Sequence, residues 1–246
     1  MERKTLLKTM SVEIPSLLTM LESGMHFGHR VSRWHPKMKQ YIFTARTGVH
    51  IIDLKQTAEK LKSAMDFLES SASKGEKVLL VGVKRQLKDT LKEKAESFGI
   101  SYVSEKWVGG TITNWTVIFR QIKKMQKMRE EKEKGEWNKF TKKEQLILQE
   151  DLDRLNHQFG GLRALEKVPR AVFFFDMKES KNAVSECRGK GIVTVALCDT
   201  NTNPDLVDYP IPANDDAIKS LNLVLALVCS AITRGKMSYE KAKEIK

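Results

Sequence analysis

Three short stretches constrain the fold more than anything else in this chain: "KVLLVG" (77–82), "PRAVFFFDM" (169–177) and "GIVTVALCD" (191–199). Each is apolar at odd and even positions alike. A strand with one face in water alternates polar and apolar residues; a strand apolar throughout is covered on both faces. Between these runs lie helical patterns. Leu87, Leu91, Ala95 and Phe98 recur at helical spacing up to Gly99, and "KESKNAVSECRG" (178–189) joins the second run to the third. Strands that alternate with helices predict an α/β fold, a three-layer parallel sheet of flavodoxin or Rossmann type.

Flanking segments fit this plan. Leu17, Leu18 and Leu21 predict one apolar face of a short helix that Gly24 ends. "QYIFTARTGVHIID" (40–53) reads as two short strands around Gly48. Asp53 suits an N-cap for a helix carrying Leu54, Ala58, Leu61, Met65, Leu68 and Ala72. "ISYV" (100–103) is a weaker strand, and a last helix begins near Asn214–Asp216 with Ile218, Leu221, Leu225 and Val228 on one face. The apolar run from Leu221 to Ile232 is interrupted by Asn222 and Ser230 and is short for a bilayer, so no membrane is expected. "MERKTLLKTMSVEIP" lacks the apolar core of a signal peptide, which points to the cytoplasm or an organelle interior.

Residues 116–159 break the rhythm. Ile118, Ile122, Met125 and Met128 make one narrow stripe, and Leu148, Leu152, Leu155 and Phe159 another, with Gly135 and Asn138 between. This predicts a protruding antiparallel coiled-coil hairpin inserted into an α/β domain formed by 1–115 and 160–246. Its first arm, 116–129, has five basic residues and no acidic one.

Function is sought in "GMHFGHRVSRWHPKMKQYIFTARTGVH" (24–50), which holds Arg30, Arg33, Lys37, Lys39 and Arg46, no carboxylate, and four of the chain's five histidines. A zinc site needs converging ligands, and the spacing of His26, His29, His35 and His50 fits no zinc motif. An ion site would require His26 to meet Asp199 or Asp205 at the strand ends. The acidic stretch 199–216 could hold magnesium, but its plainer reading is turn and helix-start chemistry. No nucleophile elbow is present, and Cys187, Cys198 and Cys229 lie in apolar or helical segments. "GVKRQ" after the first buried strand has one glycine where a dinucleotide site needs three. No cofactor is expected.

That leaves cations without local partners, in a chain of net charge +12. Phosphates suit them, and Trp34 or Tyr41 could stack on an unpaired base. Lys84, Arg85 and Lys106 fall near strand ends and extend the basic surface. The adjacent Gly109 and Gly110 predict close approach of another backbone, an RNA or the sheet's own edge, with Thr111 and Asn114 offering hydrogen bonds beside it. Three readings stay open: an RNA-binding structural protein, an α/β enzyme acting on RNA or a nucleotide, and a free interaction module that uses the hairpin.

"GMHFGHRVSRWHPKMKQYIF", "GVHIIDL", "VLLVGVKR", "KWVGGTITNW", "TKKE" and "VDYPIPANDDAIKSLNL" resemble, in order and spacing, the blocks of the bacterial-type ribosomal small-subunit protein S-two family, from about residue 13 to residue 234. The resemblance implies a non-catalytic component of a bacterial or organellar small subunit. It implies ribosomal RNA and neighbouring small-subunit proteins as partners, with the large RNA-binding protein S-one among them. The RNA-binding set expected here is His29, Arg30, Arg33, Trp34, Lys37, Lys39, Arg46, Lys84, Arg85, Lys106, Trp107 and Asn114. Residues 1–12, the pair Leu197 and Cys198, and the triple phenylalanine 173–175 depart from the family pattern.

Overall fold

The three apolar runs become neighbouring strands of a five-stranded parallel sheet. The structure, a computed structural model, describes residues 14–244; the extension 1–12 lies outside the described residues. In chain order the elements are α1 (Leu17–Glu22), β1 (Phe27–Arg30), β2 (Ile42–Arg46), β3 (Val49–Ile52), α2 (Leu54–Ser73), β4 (Val78–Val81), α3 (Lys88–Ser97) and β5 (Ser101–Val103). Then follow α4 (Trp115–Glu133), α5 (Lys142–Phe159), β6 (Ala171–Phe174), α6 (Lys181–Gly189), β7 (Val193–Cys198), β8 (Tyr209–Pro212) and α7 (Ile218–Glu244). The large sheet runs β5-β4-β6-β7-β8, and a smaller antiparallel sheet runs β1-β3-β2.

Alternation along each strand explains why the runs are apolar at every position. Leu80, Phe173, Phe175, Val195 and Leu197 point to one face, where they pack with α2, α3 and α7. Leu79, Val81, Val172, Phe174, Ala196 and Cys198 point to the other, where α6 packs, and the apolar stripes of α4 and α5 continue the same cluster outward. The triple phenylalanine is thereby divided between the two layers, with the Phe173 and Phe175 rings 4.7 Å apart. Full burial of each such ring contributes about 1.5–3 kcal/mol.

Local chemistry sets the boundaries. Asp53 caps α2 by accepting from the Lys55 N–H at 2.9 Å. Thr47 and Gly48, both at positive φ, make the tight turn between β2 and β3. Thr141 and Glu144 form a reciprocal capping box that starts α5. The apolar stripes of α4 and α5 are buried against each other, and Arg129 reaches across to Asn156 at 3.0 Å.

Four features differ from the sequence reading. Leu17, Leu18 and Leu21 are exposed, because α1 is only six residues long and turns Met20 inward instead. At the start of the last helix Ile218 is likewise exposed, one turn before the buried face begins at Leu221. "YPIP" forms β8, a strand that its two prolines disguise; it lies at the sheet edge, where missing donors are tolerated. Finally, α7 is long and apolar enough by composition to cross a membrane, but its apolar face (Leu221, Val224, Leu225, Val228) is core. Gly235 brings α7 against α2 so closely that any side chain there would strike the Glu69 carbonyl.

Candidate nucleic-acid interface

Parallel strands release all their following loops at one end of the sheet, and here that end is crowded with charge. Asp176 follows β6, Asp199 follows β7, Asp215 and Asp216 follow β8, and Lys84 follows β4. The Lys84 ammonium donates to Asp215 Oδ1 and Asp216 Oδ1, both at 2.7 Å, and to the Asp215 carbonyl at 3.0 Å. Burial alone would lower its pKa, but the surrounding carboxylates outweigh that and raise it. Asp215 moves up, through burial first and repulsion from Asp199 second, with Lys84 opposing both. Asp176 is fully buried and is raised chiefly by that burial; its Oδ1 accepts the Lys178 and Glu179 N–H groups.

His29 completes this cluster. Its Nδ1 lies 3.1 Å from Asp199 Oδ1 and its Nε2 lies 3.4 Å from Asp216 Oδ2. Its pKa is raised, first by the contact with Asp199 and against the effect of burial. His29, Asp199, Asp215 and Asp216 each offer a ligand atom within 4.8 Å of the others, the donor set of a divalent cation site. Lys84 already supplies positive charge to the same carboxylates. The structure thus brings His29, rather than His26, to Asp199. His26 instead lies against the Phe27 ring at 4.0 Å, with burial lowering its pKa, and Asp205 pairs with Lys37.

The same loops hold the cationic segment. Gly28 passes so close to Thr200 that a side chain would not fit, and Thr200 Oγ1 accepts the His29 N–H at 2.8 Å. The His35 N–H donates to the Thr200 carbonyl at 2.7 Å, and Asn214 bonds the backbone of Met25 and Gly24. Arg30 and Arg46 both stand opposite Val49 in the small sheet, one on each flanking strand, so they share its outward face. Phe27 and Thr44 are likewise both opposite Ile51. His50 and Ile52 point the other way and are buried.

Arg33, Lys39, Arg85 and Lys106 are exposed, as are Arg30 and Arg46. Lys37 is exposed but tied to Asp205. The aromatics sort differently from the sequence reading. Trp34 packs on His50 at 5.4 Å and Tyr41 is buried, whereas Phe43 is 75% exposed. Phe43 falls at a bulge in β2, between Ile42 and Thr44, a device that redirects a side chain. Nothing in sequence periodicity marks that bulge.

Glu186 on α6 explains the paired glycines. One carboxylate oxygen accepts the Gly110 N–H at 2.9 Å and the Trp107 indole N–H at 3.1 Å; the other accepts from Ile112 and from Thr113, through its N–H and its hydroxyl. Burial would raise its pKa, but these donors hold it below its usual value. Gly110 sits at φ +90°, so a tight turn wrapped on a carboxylate is its reason, and Gly109 faces open space. Asn114 stands at the start of α4, exposed and without a side-chain capping bond.

The three cysteines are buried, and burial pushes each thiol up to about 12. They are poor nucleophiles. The fold and site together define a class: an α/β scaffold whose strand ends are closed by ion pairs, with exposed cations on an added sheet. The sequence pattern of a family described as Ribosomal protein S2 matches residues 20–235. The chain is 44% identical over 231 residues to the small ribosomal subunit protein uS2c of Cyanophora paradoxa, covering 94% of this chain and 99% of that one. It is 42% identical over 231 residues to uS2 of Microcystis aeruginosa (94% and 87%) and 40% over 238 to uS2 of Chloroflexus aggregans (96% and 100%). The chain belongs to the ribosomal protein S2 family. That family is a structural component of the ribosome, not a family of enzymes.

Proposed function

We propose that this protein is a structural constituent of the small subunit of a bacterial or organellar ribosome, held there by ribosomal RNA. The observation that carries the reading is identity of 40% or more to small-subunit proteins along nearly the whole chain. Arg30, Arg33, Lys39 and Arg46, with Arg85 and Lys106, grip phosphates. They are exposed, and among the described residues no carboxylate pairs with them; Arg is suited to bidentate contact. His29, Trp34, Lys37, Lys84 and Trp107 act behind them by holding the loops in place, an inference supported by their partners within the fold. Asn114 adds a neutral contact.

Two further elements belong to this reading. Residues 116–159 act as a projecting coiled-coil hairpin inserted between 1–115 and 160–246; the buried stripes and the capping box at Thr141 support it. Beyond Arg30 and Arg46, the small sheet exposes Phe27 opposite Ile51 and, at the bulge of β2, Phe43; these apolar groups suit a protein partner beside the RNA, and ribosomal protein S-one is the one proposed. The test is sedimentation of tagged protein with small subunits. Co-sedimentation lost only at high salt is expected; a protein that stays in the free fraction at low salt sinks the proposal.

A further inference from the structure

The strand order β5-β4-β6-β7-β8 reverses direction beside β4: the chain steps outward to β5, then returns past β4 to β6. In open parallel sheets, the loops diverge at such a reversal and leave a crevice at the carboxyl ends of the strands. Here a crevice of about 570 Å³ opens at the ends of β4, β5 and β6, lined by Lys84, Arg85, Gln86, Lys106, Trp107 and Asn182, among others. That volume lies within the range that holds a small ligand, roughly 300–1,000 Å³.

Charge in the crevice is unevenly spoken for. Lys84 is bound to Asp215 and Asp216, and Glu105 is taken by Lys88 and His157. Arg85 and Lys106 remain exposed, facing Glu179 as the remaining carboxylate of the lining. Trp107 is mostly buried, and the part of it that lines the crevice is fixed, because its N–H is held by Glu186 at 3.1 Å. Gln86, Asn182 and Glu179 supply donors and acceptors at the rim. Two exposed cations, a fixed aromatic at the floor and the amides of Gln86 and Asn182 match the three parts of a nucleotide: phosphate, base plane and base edge.

We propose that this crevice takes a single nucleotide, its phosphate on Arg85 and Lys106 and its base against Trp107. The inference rests on the RNA-binding reading and sharpens it, since it assigns these residues to one unstacked nucleotide rather than to a backbone contact. An unpaired nucleotide of the RNA and a free mononucleotide share this chemistry.

The experiment uses the full chain, each of the four ribonucleoside monophosphates, inorganic phosphate, and a labelled single-stranded RNA hexamer. Asn182 is exposed, so Asn182→Trp fills the crevice without disturbing the core; equal melting temperatures verify this. Arg85→Ala is the second variant. At least one monophosphate should bind more tightly than inorganic phosphate, and both substitutions should weaken it tenfold or more. If hexamer binding falls with Asn182→Trp as well, the source is RNA; if only monophosphate binding falls, it is the free nucleotide. Inorganic phosphate binding as well as any nucleotide, or Asn182→Trp leaving affinity unchanged, overturns the proposal. Those failures leave ribosomal assembly intact, which sedimentation reads separately.

Discussion

Glu186 shows how much a single side chain can organise: one carboxylate holds the whole 107–113 turn. Substituting Gly110 with Val forces a β-branched residue to φ +90°, a conformation that costs on the order of 1–3 kcal/mol. Gly109→Ala, in open space, should leave the melting temperature nearly unchanged. Equal melting of the two variants would refute the turn-strain account. Glu186 also gives a pH signature. Its folded pKa lies below the ordinary 4.5, so its stabilisation is complete above that value and is lost as pH falls through the folded one. The melting difference between wild type and Glu186→Gln should therefore be largest near neutrality and shrink in acid; a difference constant with pH would contradict it. The glycine pair was visible in the sequence, but its partner was not. Glu186 lies 76 residues beyond Gly110, and a carboxylate on an amphipathic helix looks like any solvated one. In the same way, the cationic segment looked free of acids because Asp205 and Asp199 reach it only through the fold.

At the scale of elements, legibility followed burial. β4, β6 and β7 are covered on both faces, so their sequence carries an unbroken apolar signal. β8 sits at an edge and tolerates Pro210 and Pro212, which erase the strand pattern. β1 was missed because Gly28 and His29 answer to Thr200 and Asp199 rather than to a strand periodicity. The helices α4 and α5 bury their stripes largely against each other, which gives their sequence its narrow repeat. Replacing 118–157 with a short Gly/Ser turn should therefore leave the parallel sheet folded, with a lowered melting temperature and weakened entry into small subunits. Far-ultraviolet circular dichroism and sedimentation measure the two effects. A chain left wholly unfolded by the replacement would mean that the helices are integral to the core.

At the scale of the molecule, the proposed RNA binding makes the exposed cations set how affinity responds to salt. Lys37 is neutralised by Asp205, leaving Arg30, Arg33, Lys39 and Arg46 in the segment. Four phosphate contacts on single-stranded RNA give a log–log slope of about −3. Changing any one of these four to Ala should flatten it by about 0.7, and Lys37→Ala should barely alter it. A slope insensitive to all four substitutions would remove phosphate binding from this segment. The latching of that segment onto Thr200, Asp199 and Asn214 has one more consequence, for the order of events in a newly made chain. Residues near the start receive their shape from loops made about 170 positions later, so no nascent fragment can present the finished surface. Long-range closure of this kind is slow. If the protein binds RNA as proposed, RNA then acts as an inspector, accepting only chains whose last strand is home and passing over those still incomplete. In a refolding time course, RNA affinity should appear together with the slowest sheet-forming phase; full affinity in a peptide spanning 14–55 would show that no such inspection exists.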